Sequence, residues 1–386
     1  MLSESVFEIG SGVHAHFGCG SVEKLPRAVR ALERKRVIVV TDPGVELAGV
    51  IHKIRAVLEA DAIAVEVSAT QRRIPSADRI ATLLARARSE PDSLLLAVGG
   101  GSVMDTAKAV ALVATNGGNV SDYPPGCRPT RAGMPVIAVP TTAGSGSETN
   151  MIAHLLEPRT QRLFPLGHPS VQPKCVMLDP ELGTAVPQEI TAASGMDALA
   201  HAVEAITSNR NNPYSDALAL RALAALGSFL PKAYDSGADV EARGQMLLAA
   251  HLAGLAAGSS GLGLCHAMAH PLTVRLDVAH GRALATFLPH VMRFNFAIAE
   301  ARYAQVAIAL GVAAPGVSDA ENAHRAIAAV EQISVRVGLG QRAGALGVER
   351  ALCATLVDDA MADTVLTGTP RFPDQNDVLA LYEAAL

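Results

Sequence analysis

Leu94-Leu95-Leu96-Ala97-Val98-Gly99-Gly100-Gly101-Ser102-Val103-Met104-Asp105-Thr106-Ala107-Lys108 is the stretch on which the fold turns. Its apolar run reads as a buried strand, and three glycines then lead into a helical pattern. Glycines at such a junction let the backbone come close to a phosphate, and the helix N-terminus offers its N–H groups to that charge. The spacing is not G-x-G-x-x-G, so the ordinary dinucleotide fingerprint is not met. The same residues also suit a plain strand-to-helix turn with Ser102 as its cap.

Outward from this stretch the alternation continues through the first 185 residues. Arg36 to Val40 is followed by a helix through about Leu58, Ala62 to Val67 by Ile80 to Ala87, and Ser93 to Val98 by Val103 to Ala114. Further strands are expected near Pro135 to Val139 and Cys175 to Leu178. Strand-helix alternation of this kind makes a parallel sheet with covered faces. From about Gln188 the character changes to long Ala/Leu-rich segments, Ala217 to Leu230, Ala242 to Ala257 and Glu300 to Leu310, which read as helices packed on helices. Two prolines bracket the loop from Asp179-Pro180 to Pro187. The expectation is α/β plus all-α: an α/β domain over 1–185 and a helical domain over 186–386.

Composition bounds the function. At roughly 150 residues per domain, 386 residues allow two or three domains. Hydrophobic residues make up 49% against 18% charged, which excludes a disordered chain. A net charge of -5, 3% aromatics and no Trp argue against nucleic acid as a partner. Cys19, Cys127, Cys175, Cys265 and Cys353 are odd in number and far apart, as expected of reduced, buried thiols in a cytoplasmic protein. The N-terminal MLSESVFEIG has no basic region or long apolar core, so no signal peptide is expected. Met246 to Cys265 carries no formal charge over about the length of a membrane span. His251 and Gly258-Ser259-Ser260-Gly261 within it read better as two core helices meeting at a turn, so no membrane is expected.

A second loop, Val139-Pro140-Thr141-Thr142-Ala143-Gly144-Ser145-Gly146-Ser147-Glu148, also follows an apolar strand. Its hydroxyls suit the rest of a nucleotide, or simply a polar loop. Asp42 ends the strand Val37 to Thr41, where a carboxylate can accept ribose hydroxyls and repel a 2′-phosphate, favouring NAD over NADP. It is equally a helix N-cap before Pro43. Six of the 12 histidines lie between residues 201 and 290. Asp197 and His201 are one helical turn apart, as are His266 and His270, and His280-Gly281 follows. One carboxylate with three imidazoles suits Fe²⁺ or Zn²⁺. Spacing alone lets both His266 and His270 bind, with Pro271 ending or bending their helix and His280 returning from a loop. His251 and His290 read as core or interface residues.

Taken together, the chain resembles an iron-containing (group III) alcohol dehydrogenase over nearly its whole length. The resemblance rests on Gly99-Gly100-Gly101-Ser102 with Asp105 and Lys108, Pro140 through Glu148, Asp179-Pro180, Gly195-Met196-Asp197-Ala198 with His201 and Glu204, and His266 through His280-Gly281 to Leu288-Pro289-His290. It implies a dinucleotide-binding N-domain, an all-helical C-domain of dehydroquinate synthase-like architecture, and a cleft holding NAD or NADP and a divalent ion. It assigns Asp197, His201, His266 and His280 to Fe²⁺ or Zn²⁺ and places His270 beside the ion as a proton relay near the nicotinamide. Gly99, Gly100, Gly101, Ser102, Asp105, Thr141, Thr142, Ser145, Ser147 and Asp42 then serve the cofactor. The implied reaction is hydride transfer between a small alcohol and its aldehyde or ketone, in a homodimer or higher homo-oligomer. Three departures stand out. Arg73-Ile74-Pro75-Ser76 replaces the family's Pro-Asn-Pro-Thr, and Leu163, with Arg162 beside it, stands where relatives place a Lys after Glu157. Thr369-Pro370-Arg371 stands where the family often has Asn-Pro-Arg. The alternatives are a metal-free reductase of the maleylacetate type, a dehydroquinate-synthase-like lyase and a non-catalytic binding protein.

Overall fold

The computed structural model describes residues 13–70, 74–123, 127, 129–157 and 159–386. Arg73 and the N-terminal decapeptide lie outside the described residues. The chain forms two compact units, one built from residues 13–187 and 236–248, the other from 188–235 and 249–386.

In the first unit the strands are β1 (His14–Phe17), β2 (Arg36–Thr41), β3 (Ala64–Ala69), β4 (Leu94–Gly99), β5 (Val136–Pro140), β6 (Ile152–Glu157), β7 (Arg162–Gly167) and β8 (Cys175–Leu178). Its helices are α1 (Leu25–Ala31), α2 (Pro43–Leu47), α3 (Val50–Glu59), α4 (Ala77–Ser89) and α5 (Gly101–Asn116). Six strands make a parallel sheet in the order β1-β8-β5-β4-β2-β3. Alternate residues of each central strand feed opposite cores, as the two-residue period requires. Ile38, Val40, Leu95, Ala97, Val136 and Ala138 pack with α4 and α5 on one face. Val37, Val39, Leu94, Leu96, Val98, Ile137 and Val139 pack with α1 and α3 on the other.

The first helix after β2 differs from expectation. It is broken at Gly49, whose φ of 75° is easy only for glycine, so α2 and α3 replace one segment. Three strands escaped the sequence reading. β1 is four residues long and mostly exposed, and β6 with β7 form an antiparallel hairpin interrupting the strand-helix alternation.

Lys108 on α5 is fully buried. Its ammonium donates to Ser147 Oγ at 2.7 Å, Asn150 Oδ1 at 3.1 Å and the Ile152 carbonyl at 2.7 Å, tying α5 to the start of the hairpin. Burial lowers its pKa to about 8 against the opposing pull of the Asp105 and Glu148 carboxylates. An unfolded lysine titrates near 10.4, so between about pH 8 and 10.4 the unfolded chain binds more protons and stability from this group rises with pH. The stability difference between the parent and Lys108→Met, followed by urea unfolding, should therefore shift in the parent's favour from pH 8 to pH 10. A constant difference would show that the buried amine does not titrate in this range.

The second unit holds α6 (Gln188–Thr207), α7 (Pro213–Asp235), α9 (Leu264–Arg275), α10 (His280–Phe294), α11 (Phe296–Ala309), α12 (Asp319–Arg336), α13 (Cys353–Met361) and α14 (Gln375–Ala385). The remaining helix, α8 (Val240–Ser260), contributes residues to both units. No single helix among the described residues is long and apolar enough to cross a membrane, and α8 and α9 meet at 111°. Pro271 does not end its helix, which continues to Arg275, and His280 opens α10 instead of lying in a loop. Of the five thiols, all free, Cys175, Cys265 and Cys353 are buried but Cys127 is half-buried and Cys19 is exposed, which corrects the expectation of five buried thiols.

Two glycines allow α6 to be approached closely. A Cβ on Gly195 would lie 2.3 Å from Leu230 Cδ1 of α7, and one on Gly281 would lie 1.7 Å from the Ala193 carbonyl oxygen. The second contact is with backbone, which cannot rotate away. Gly281→Ala should cost about 1–3 kcal/mol through forced separation of α10 from α6. An unchanged thermal unfolding midpoint would show that the helices separate without loss.

Candidate functional site

The helical unit gathers the histidine-rich motifs into one place. α6 presents Asp197 and His201 one turn apart, α9 brings His266, and α10 brings His280 on its first residue. Ligand-type atoms of Asp197, His201 and His266 lie within 4.8 Å of one another, all three residues being buried. From Asp197 Oδ1 the distances are 3.3 Å to His201 Nδ1, 3.7 Å to His266 Nε2 and 3.9 Å to His280 Nε2. Asp197 Oδ1, His201 Nδ1 and His266 Nε2 are buried without a hydrogen-bond partner. An unmet buried polar atom costs about 1–3 kcal/mol, so three converging on one point demand an explanation. A divalent cation meets all of them at once, and one carboxylate with imidazole nitrogens is a donor set that fits Fe²⁺ or Zn²⁺.

The electrostatics follow from burial. Desolvation alone would raise the Asp197 carboxyl, but the surrounding imidazoles of His201, His266 and His280 outweigh it and hold the group below its ordinary value. Burial lowers His201 to about 4 despite Asp197. His266 is the exception. Burial disfavours its charged form, yet the carboxylates of Glu204 and Asp197 lift it to about 9.

The Nδ1 nitrogens of His266, His280 and His270 each face a side-chain oxygen. His266 Nδ1 lies 2.6 Å from Glu204 Oε2. Glu204 also accepts the Gly263 N–H at 3.1 Å and the Cys265 N–H at 2.7 Å, so one buried carboxylate fixes both the imidazole and the start of its helix. His280 Nδ1 faces Thr273 Oγ1 at 3.3 Å. His270, whose spacing leaves it free to join the set, instead has Nδ1 2.6 Å from Asp363 Oδ2. Its ring stacks on His280 with centroids 5.2 Å apart and stands 6.1 Å from His266. Sequence reasoning missed the parts played by Thr273 and Asp363 and named Glu204 only within a motif. Asp363 lies 93 residues from its partner, and no local pattern joins the two.

In the first unit the two loops singled out from sequence prove to be neighbours. Gly99 pairs with Pro140 across β4 and β5, and the Thr141 N–H donates to the Gly99 carbonyl at 3.1 Å. A Cβ on Gly100 would meet Thr142 Oγ1 at 3.1 Å, and one on Gly101 would meet Ser145 Oγ at 2.8 Å. Gly99, with φ +157°, faces Val103 in the same way at 2.8 Å. Gly100, not Ser102, is the N-cap of α5, and no side chain caps that terminus. Asp105 and Ser147 are buried and joined by a 2.6 Å hydrogen bond, and Asp105 Oδ2 accepts the His154 N–H, so they brace the loops from behind. Asp42 caps α2, its Oδ1 accepting the N–H groups of Gly44 at 2.8 Å and Val45 at 3.3 Å. β2 and β4, which end at Thr41 and Gly99, flank the point where strand order reverses, the place where open α/β sheets bind ligands. Leu163 follows Arg162 on β7, where Arg162 opposes Glu157.

Comparison with known proteins agrees with the motifs. Residues 13–180 match the model for iron-containing alcohol dehydrogenase, and residues 191–386 match that for the C-terminal part of the Fe-containing alcohol dehydrogenase family. The probable alcohol dehydrogenase EutG of Escherichia coli is 35% identical over 95% of this chain and 92% of its own length. The NAD-dependent methanol dehydrogenase of Bacillus methanolicus is 31% identical over 96% of this chain and 97% of its own. The crystal structure of a 1,3-propanediol oxidoreductase superposes with a TM-score of 0.95 at 32% identity, covering 99% of this chain and all of that one. With both halves matched and such relatives spanning nearly its full length, the chain belongs to the iron-containing alcohol dehydrogenase family.

Proposed function

We propose that this oxidoreductase interconverts a small alcohol and its aldehyde or ketone with NAD, NADP being the less favoured cofactor, and that Asp197, His201, His266 and His280 hold Fe²⁺ or Zn²⁺. The observation that carries the metal assignment is the convergence of three buried, partnerless ligand atoms on Asp197. When bound, the ion supplies Lewis-acid polarisation of the substrate oxygen, and the nicotinamide supplies or takes the hydride. The protein's own groups do the rest. Glu204 keeps the His266 ring turned so that Nε2 faces Asp197. His270, outside the ligand set but stacked on His280, holds the proton that the substrate oxygen gains or loses. Gly99, Gly100, Gly101 and Ser102 leave room for a pyrophosphate at the α5 N-terminus, with Thr141, Thr142 and Ser145 alongside it and Asp105 and Ser147 as their support. Asp42 stands at the switch point where a ribose would lie, and the NAD dependence of the methanol dehydrogenase relative supports that cofactor. The chain is read as working in the cytoplasm as a homodimer or higher homo-oligomer.

Metal content and turnover test the assignment together. Purified protein reconstituted separately with Fe²⁺ and Zn²⁺ should oxidise NADH with small aldehydes, and His266→Ala and His280→Ala should lose both metal and activity. His270→Ala should keep its metal yet lose about 10²- to 10⁴-fold in turnover, the usual worth of a positioned acid-base group. Metal retained in His280→Ala but lost in His270→Ala would exchange their roles. Full activity without metal would make this a metal-free reductase.

The cofactor assignment has its own check. Asp42→Gly should raise the efficiency with NADPH relative to NADH by removing a negative charge from the 2′-phosphate position. An unchanged ratio would leave Asp42 with only its capping role.

A further inference from the structure

Two histidines one turn apart on α9 each give Nδ1 to a carboxylate from elsewhere in the helical unit. Glu204 serves His266, and Asp363 serves His270. An ionised carboxylate only accepts hydrogen bonds, so Nδ1 of His270 carries the proton and the lone pair is left on Nε2. We propose that Asp363 is a positioning residue for the reaction: by holding Nδ1 at 2.6 Å it fixes the tautomer and ring orientation of His270, so that the lone pair is presented on Nε2. The inference rests on the reading of His270 as the proton-handling group.

Asp363 is built for that task. Its Oδ2 faces His270 at 2.6 Å, while Oδ1 accepts the Val365 N–H at 3.0 Å as N-cap of the 3₁₀ turn Thr364–Gly368. The side chains of Asp363 and His270 are only 14% and 10% exposed. The turn is fixed in its turn. Asn209, just beyond the end of α6, donates to the carbonyls of Thr367 at 2.9 Å and Thr369 at 3.2 Å, and Arg210 donates to Thr367 Oγ1 at 2.8 Å. A Cβ on Gly368 would lie 1.9 Å from the Leu262 carbonyl oxygen, so the turn also seats against the segment leading into α9. On the other side, Arg275 of α9 pairs with Asp359 of α13, four residues before Asp363. The carboxylate is thus referenced both to the helix carrying Asp197 and to the helix carrying His266 and His270. A residue needed only as a cap would require neither the second oxygen's contact nor this bracing.

Asp363→Asn separates the two uses of the side chain. Asparagine is as good an N-cap as aspartate, but it has one accepting oxygen where aspartate has two. With Oδ1 held by Val365, the amide NH₂ faces His270 and drives the proton from Nδ1 to Nε2. The experiment is two-bond ¹H–¹⁵N correlation on ¹⁵N-histidine-labelled, Zn²⁺-loaded protein, with metal content, thermal unfolding midpoint and steady-state kinetics measured on the same preparations. The expected result is a His270 Nε2 that is unprotonated in the parent and protonated in Asp363→Asn. Metal content and unfolding midpoint should stay near parental, with kcat lowered about 10²- to 10⁴-fold and KM little changed. Asp363→Glu, which keeps a carboxylate, should recover part of the loss. An unaltered His270 tautomer in Asp363→Asn would overturn the proposal, as would loss of metal in that variant. A switched tautomer with parental kcat would instead overturn the role of His270 in proton handling, and with it the catalytic purpose of Asp363.

Discussion

A carboxylate taken out of water costs several kcal/mol unless its charge is met, and Asp197 is buried at the centre of the helical unit. Imidazoles from α6, α9 and α10 stand around it. His201 comes from its own helix, so i,i+4 geometry suffices. His266 and His280 belong to helices that must each approach α6 closely, and glycine makes the second approach possible. Gly281 seats the first turn of α10 against the Ala193 backbone, only four residues from Asp197, so His280 cannot be brought in without it. The glycine after His280 is therefore a condition for that histidine's position.

The α/β unit meets the same constraint differently. Asp105 is also buried, but a lysine lies 3.8 Å away, a serine hydroxyl bonds one oxygen and a backbone N–H the other. No partnerless atom remains on it among the described residues. Two buried carboxylates in one chain thus end in opposite conditions, Asp105 saturated by protein donors and Asp197 left with an oxygen that no protein donor meets. The first condition suits a brace and the second suits a ligand, and the contrast separates their roles more sharply than burial or spacing does.

What could be read from the sequence follows the range over which each feature is encoded. The β4-Gly-α5 junction, the i,i+4 pair Asp197 and His201, and the helical character beyond Gln188 are local, and periodicity with glycine placement reveals them. The hairpin β6–β7 was missed because its strands read as neither buried runs nor clean alternation, and β1 because four exposed residues carry little pattern. The adjacency of the two glycine-rich loops depends on β4 pairing with β5, which is a matter of sheet order. Spacing also left open whether His270 joins His266, because that depends on Asp363 and Glu204, which lie 93 and 62 residues from the histidines they hold. Of the two outcomes Pro271 allowed, an ended or a bent helix, the first does not occur: α9 continues to Arg275 through a residue that would disfavour an isolated helix.

His266 and His270 show how far identical spacing can be driven apart by what stands behind each ring. Glu204 is 6% exposed and accepts three N–H donors, two of them from backbone. It supplies a negative charge that strengthens His266 as a donor of electrons through Nε2, as the metal role proposed for it calls for. Asp363 sits nearer the surface, on a short turn instead of a long helix, and divides its two oxygens between a cap and an imidazole. That arrangement orients His270 through its Nδ1. Because the rings lie on one face of one helix, any shift of α9 moves both together, and the distinction between them is made entirely by residues outside the helix. Substitutions at Glu204 and Asp363 therefore act on different nitrogen chemistry even though each removes a carboxylate from an imidazole 2.6 Å away.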